Sequence, residues 1–271
     1  MHENYSTIIF EKKDFIGIIK LNRPERMNAV IEEMYLEIQD VLKKCQNDNN
    51  VRVLLLTGSQ LKKNGKIKEA FCAGADLKKH SEGDRTPWQK REYIFLAHNT
   101  TKMIYEYPKP IIAVINGPAR GAGTEMALNC DFIIMAENAT IGFPETSLGT
   151  FVGGGVTKHL VNLVGMQMAK YLIYTGKILN GIEAKELGIA IEVKPIDELM
   201  DFAIKFAKEL SEKAPISMKF AKKYLQKSPS LDIDTVLTLE AEAILACMNT
   251  EDWHEGIKAF MEKRKPVYKG K

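Results

Sequence analysis

The chain has 271 residues, 45% of them hydrophobic and 27% charged. Such a length allows one large domain or two modest ones with ample core, and the balanced composition excludes disordered, collagen-like and disulfide-scaffold proteins. Lys and Arg total 38 against 35 Asp and Glu, and a net charge of +3 gives no argument for nucleic acid or a membrane surface.

Thr7 to Phe10 and Phe15 to Leu21 are isoleucine-rich runs parted by Glu11-Lys12-Lys13-Asp14, which predicts a β-hairpin. Asn22-Arg23-Pro24-Glu25 breaks the second strand. Asn28 is expected to cap a helix from Ala29 to Cys45 whose apolar face carries Ile31, Met34, Tyr35, Ile38, Val41 and Leu42. Val51 to Thr57 predicts a buried strand, and the lysine-rich Gln60 to Lys68 a solvated loop. Phe71 to Asp76 is a small-residue turn, followed by a helix over Trp88 to Tyr105 that Pro108 and Pro110 stop. Ile111 to Ile115 predicts a third long strand, Asn116 to Gly123 a Gly-rich turn, Ala122 to Asn129 a helix and Phe132 to Ala136 a fourth. This alternation is the signature of stacked β-α units with parallel strands. Beyond Gly165 helical patterns dominate: Gln167 to Tyr174, Ile182 to Leu187, Glu198 to Lys213, Ile216 to Gln226, Leu231 to Met248 and Asp252 to Lys263. The expected organisation is a β/α body over 1–197 and an α-helical region over 198–271, whose apolar side chains suit subunit contact.

Cys45, Cys72, Cys130 and Cys247 form no Cys-x-x-Cys pair, which fits reduced thiols. No apolar run approaches the roughly 18 residues needed to span a bilayer, and the Met1–Tyr5 start lacks signal-peptide character. A soluble, cytoplasmic protein is expected. Met126 stands where a dinucleotide fingerprint needs a third small residue, and no P-loop or Gly-x-Ser-x-Gly elbow is present. His2, His80, His98, His159 and His254 fall in no metal-ligand spacing, so no metal is expected.

What remains is two small-residue turns and two glutamates. Ala75 and Ala122 each end a turn where a helix can begin, and the first amides of a helix lack intrahelical acceptors. One N–H from each turn could converge on a single oxygen as an oxyanion hole; the alternative is that the glycines only satisfy tight turns. Glu125, in the first turn of its helix, could offset the dipole. Together with Glu145, after Pro144, it could instead supply acid and base around one water.

These residues resemble the enoyl-CoA hydratase/isomerase (crotonase) superfamily over nearly the whole chain. The matching pieces are Leu21-Asn22-Arg23-Pro24 with Asn28-Ala29, Ala70 to Leu77, Pro110 to Asn116, Gly121 to Leu128, and Cys130-Asp131. Pro144-Glu145 with Leu148-Gly149 and the stretch from Glu255 to Pro266 complete them. The resemblance implies an α/β, crotonase-like spiral of ββα units followed by a C-terminal helical trimerisation region. It implies acyl-CoA thioester substrates, CoA being part of the substrate with no further cofactor, and a homotrimer or dimer of trimers. By position, the N–H groups of Ala75 and Ala122 match the oxyanion-hole donors, and Glu125 and Glu145 the two hydratase glutamates. Having both favours hydration of a 2-enoyl-CoA, with Glu145 as the acid and Glu125 as the base. Arg26, Met27, Ala73, Asp76, Leu77, Lys78, Gly121 and Gly153 match substrate- and CoA-binding positions. Phe260 and Lys263 match positions that reach a neighbouring subunit's CoA, and the basic tail from Lys258 could attract its phosphates. Ala122 replaces the middle glycine of the common Gly-Gly-Gly run, while Val152 and Val156 stand where proline and glycine are usual. The stretch His80 to His98 is expected near the acyl end. An enoyl-CoA isomerase, or a non-catalytic acyl-CoA- or RNA-binding member, are the alternatives.

Overall fold

The computed structural model describes residues 5–81 and 85–271. His2, the rest of the N-terminal tetrapeptide and residues 82–84 of the His80 to His98 stretch lie outside it, as do the side chains of Lys63, His80 and Ser81.

The expected hairpin is formed by β1 (Ile8–Lys13) and β2 (Ile16–Leu21). Its turn residues Asp14 and Phe15 both have positive φ, 48° and 65°, which suits the twist of a tight hairpin, and the Arg52 guanidinium stacks on the Phe15 ring at 4.5 Å. The first helix, α1 (Glu32–Gln46), buries Met34, Tyr35, Ile38, Val41, Leu42 and Cys45, the face its spacing predicts. Asn28 is not its cap. It sits in the left-handed region (φ 55°), and Ile31 holds the N-cap position. The Asn28 side chain instead accepts from the Arg23 N–H (3.0 Å) and donates to the carbonyls of Ala70 (2.8 Å) and Ser59 (3.1 Å), knitting three segments together. Asn tolerates this backbone where most residues do not.

The third strand, β3 (Val53–Gly58), is buried throughout. The lysine-rich stretch after it is not a plain loop but a small hairpin, β4 (Leu61–Lys63) with β5 (Lys66–Lys68). Asn64 and Gly65, both at positive φ, make its turn; Asn-Gly is the strongest short hairpin signal, and here it outweighs the charge of the flanks. Next come α2 (Leu77–Ser81) and α3 (Pro87–Tyr105), the latter opened by a reciprocal capping box between Thr86 and Gln89. The chain continues through β6 (Ile111–Ile115), β7 (Ala119–Arg120), α4 (Ala122–Leu128), β8 (Phe132–Ala136) and β9 (Thr140–Gly142). The next element, α5 (Val156–Thr175), is two helices that meet at the non-helical Gly165 (φ 76°, ψ 163°); the second is the helix expected from Gln167, and the first, from Val156, adds a helix before it. Then follow β10 (Leu179–Asn180), α6 (Gly181–Glu186), β11 (Glu192–Lys194), α7 (Ile196–Ser211), α8 (Pro215–Lys227), α9 (Ile233–Met248) and α10 (Glu251–Met261).

The main sheet has the order β1-β2-β3-β6-β8-β11, with every neighbouring pair parallel except the hairpin. Parallel neighbours require crossovers. Here the last two crossovers add short strands, β7 in one and β9 and β10 in the other, which form a second sheet beside the first. Isolated bridges from Cys72 to Ala119 and from Val30 to Ala75 continue that stack across the two small-residue turns. This is the expected crotonase-like spiral. Of the C-terminal helices, α7 buries Leu199, Ala203 and Ala207 and packs on the main sheet. By contrast α8 buries no residue fully and α9 only Ala243, leaving Leu237, Ile244 and Leu245 more than half exposed.

Candidate active site

The C-terminal ends of β3 and β6 carry the two turns. Their glycines allow direct contact of main chain with main chain. A methyl on Gly58 would lie 1.9 Å from the Ala70 oxygen, one on Gly117 2.6 Å from the Glu69 carbonyl carbon, and one on Gly123 2.4 Å from the Cys72 oxygen. Cys72 N–H donates to Pro118 O (3.1 Å) and its carbonyl accepts from Arg120 N–H (2.9 Å), so the turns are strapped together like strands. Gly74 (φ 97°) and Gly121 (φ 48°, ψ −121°) face one another; a methyl on either would touch the other's Cα at 3.8 Å.

Each of these glycines directly precedes one of the two alanines. Neither Ala75 nor Ala122 has positive φ, so alanine in place of glycine at 122 carries no backbone strain. Among the described residues neither alanine N–H has an acceptor, although Val30 N–H donates to Gly74 O and Asp76 N–H to Val30 O on either side of Ala75. Ala122 opens α4, where the N–H lacks an intrahelical partner. The two adjoining turns thus present two N–H groups with no acceptor among the described residues.

Arg23 fastens the first turn from outside. Its guanidinium donates to Ala29 O and pairs with Asp76 at 2.9 Å, both side chains largely buried. Burial raises the Asp76 carboxyl, but the hydrogen bond and charge of Arg23 outweigh it and hold the group below its ordinary value. Met27 O accepts from Ala73 N–H (3.0 Å). Six of the predicted substrate positions, Arg26, Met27, Ala73, Asp76, Leu77 and Lys78, therefore gather at this turn, with Arg26, Leu77 and Lys78 exposed.

Glu125 does not offset its helix dipole by capping. Its Oε1 accepts from the Gly153 N–H at 2.8 Å. Burial raises its pKa, and the Gly153 hydrogen bond opposes that rise. Glu145 is 7% exposed and begins a single 3-10 turn after Pro144. Its Oε1 lies 2.9 Å from where a methyl on Gly121 would stand, and its buried Oε2 has no hydrogen-bond partner among the described residues. Burial raises the Glu145 pKa; a backbone hydrogen bond lowers it in part, and the Glu125 charge raises it further. Gly121 thus lies against Glu145 and Gly153 against Glu125, so the two glutamates, both turns and eight of the ten binding positions meet in one region.

Phe260 and Lys263 do not join it. The residues after α10 reach the opposite end of β3, where Tyr268 O accepts from Arg52 (2.6 Å), and Phe260 is 85% exposed. Val152 and Val156 both turn into the core. Two features escaped the sequence reading. Arg23 lay inside a quoted motif but gave no sign of its partner 53 residues on. His98 stands beside Glu125 only because α3 packs across α4, a contact with no local signal. Among the described residues no cluster of three His, Cys, Asp or Glu could hold a metal, and no helix is long and apolar enough to cross a membrane.

A spiral of this topology with paired small-residue turns defines the crotonase class, and the chain belongs to the enoyl-CoA hydratase/isomerase family, whose pattern matches residues 11–271. It is 36% identical to the crotonyl-CoA hydratase of Syntrophomonas wolfei, over 96% of this chain and 97% of that protein. It is 35% identical to the short-chain-enoyl-CoA hydratase of Clostridium acetobutylicum, over 96% of each. The crystal structure of an enoyl-CoA hydratase from Bacillus anthracis superposes with a TM-score of 0.92 at 37% identity, covering 98% of this chain and all of that one.

Proposed function

We propose that the protein is an enoyl-CoA hydratase that adds water across the 2,3 double bond of a 2-enoyl-CoA, giving the 3-hydroxyacyl-CoA. The observation that carries this reading is the pairing of two unengaged N–H groups with two carboxyls whose pKa values are raised. The thioester oxygen binds between the N–H groups of Ala75 and Ala122, which strengthen their hold as enolate charge develops there. Ionised Glu125 takes a proton from water while the hydroxyl adds to C3. Protonated Glu145 then delivers its proton to C2 on the same face, a syn addition. Transfer of a proton from Glu125 back to Glu145 through solvent restores the starting state, because the two carboxyls titrate as a coupled pair.

CoA lies along Arg26, Met27, Ala73 and Asp76 to Lys78, while Gly121 and Gly153 bound the reacting carbons. The region from 198 on mediates a homotrimer or dimer of trimers, and the exposed apolar residues of α8 and α9 support that assembly. Phe260 and Lys263 then serve the CoA of an adjacent subunit. The setting is fatty acid metabolism in the cytoplasm. The deciding experiment is product analysis by mass on short, long, branched and cyclic 2-enoyl-CoA substrates, with a 3-enoyl-CoA alongside. Gain of one water on the 2-enoyl substrates supports the reading; migration of the double bond without water uptake would replace it with the isomerase.

A further inference from the structure

His98 is exposed and makes no side-chain hydrogen bond among the described residues, yet the helix that carries it is closely fixed. Its helix, α3, is pinned to α1 by the buried Thr100, whose hydroxyl accepts from Gln39 Nε2 and donates to Leu96 O, both at 2.9 Å. The Thr101 hydroxyl donates to His98's own carbonyl (3.0 Å), and its methyl packs beside Gly154. This turn of α3 is thereby held against the loop that fastens Glu125, with the imidazole on the same side. A methyl on Gly153 would lie 3.0 Å from His98 Nε2, 3.1 Å from Glu125 Oε1 and 3.3 Å from Glu125 Oε2. One ring nitrogen and both oxygens of the carboxylate therefore border the same small space, on the side of Glu125 where no other side chain satisfies them.

We propose that His98 is a positioning residue for hydration, its Nε2 holding the water that Glu125 deprotonates. The inference rests on the hydratase reading and adds a third group to it. A water attacking C3 spends one lone pair on the new bond and one proton on Glu125. Its second proton and second lone pair remain to be satisfied, and Glu125 Oε1 is already engaged by the Gly153 N–H. An imidazole nitrogen can meet either need, since it donates in one tautomer and accepts in the other. That contact removes rotational freedom from the nucleophile and aims its reactive lone pair at the carbon.

The test separates water positioning from folding. With crotonyl-CoA, His98→Leu should lower kcat about tenfold, the equivalent of one hydrogen bond, while KM stays within about twofold. His98→Gln, whose amide reaches close to the Nε2 position, should keep kcat within about threefold of the parent. Exchange of the α-hydrogens of butyryl-CoA with D2O, followed by proton NMR, needs the paired N–H groups and Glu145 but no added water. It should be unchanged in both variants. Equal hydration by His98→Leu and the parent would overturn the role of His98 alone, as would parallel loss of hydration and exchange. Failure of the parent to hydrate any enoyl-CoA would overturn the hydratase reading itself, and the inference with it.

Discussion

Glu125 projects from a buried helix and has a main-chain N–H at its carboxylate, whereas Glu145 stands at the first residue of a single 3-10 turn with one oxygen buried and unpartnered. Both carboxyls are pushed above the ordinary glutamate value by burial, but the other influences on them differ. For Glu125 the Gly153 N–H favours the ionised form. For Glu145 a backbone hydrogen bond also opposes burial, but the charge on Glu125 adds to burial and favours the protonated form. One side chain type thus sits in two different surroundings, which supports the proposed division into base at 125 and acid at 145.

The largest effect should come from removing either task. Glu125→Gln and Glu145→Gln are each expected to cut turnover by roughly 10²- to 10⁴-fold, with butyryl-CoA affinity by calorimetry little changed. Near-normal turnover in either variant would break the division of labour. Gly121→Ala disturbs Glu145 selectively: φ 48° with ψ −121° suits glycine, and the new methyl would meet Glu145 Oε1 at 2.9 Å. Its kcat should fall by about 10²-fold, and its stability in urea by about 1–3 kcal/mol. A third carboxylate sharpens the contrast, because Asp76 has a charged partner, Arg23, that neither glutamate has among the described residues. Arg23→Ala should destabilise the fold by roughly 2 kcal/mol at neutral pH. The Asp76 pKa is depressed, so its contribution is present above the unfolded value and is lost as pH falls through the folded one; the gap between parent and variant should close in acid.

The smallest effect has the opposite sign. A raised folded pKa means that the buried ionised form costs stability above that pKa, a cost that vanishes as pH falls below the unfolded value. The two Glu→Gln variants should therefore melt at or above the parent temperature near pH 8, with the difference shrinking in acid. A lower melting temperature would show that the glutamates hold the fold together.

The long elements were legible because their burial follows period: α1 buries the face its spacing predicts, and the runs at Ile111 and Phe132 are strands with the expected ends. The two turns and two glutamates were legible from residue type, and the resemblance supplied their pairing. Short strands such as β7, β9 and β10 were not, since two or three residues carry no periodicity and exist only through their neighbours. Asn28 misled because an asparagine before a helix is usually a cap; its tertiary role depends on Ser59 and Ala70, distant in the chain. The helix before Gly165 went unread because the glycine parts it, at φ 76° and ψ 163°, from the helix after it.

The main-chain contact between the segments at 69–73 and 117–123 has a consequence for how such a protein diversifies. Because no side chain separates those segments, mutation cannot widen or narrow the gap between them by small steps. Variation must instead accumulate around them, while the spacing of the two turns stays fixed. A descendant with altered appetite would be recognised by new residues around an unchanged pair of hinge-like turns.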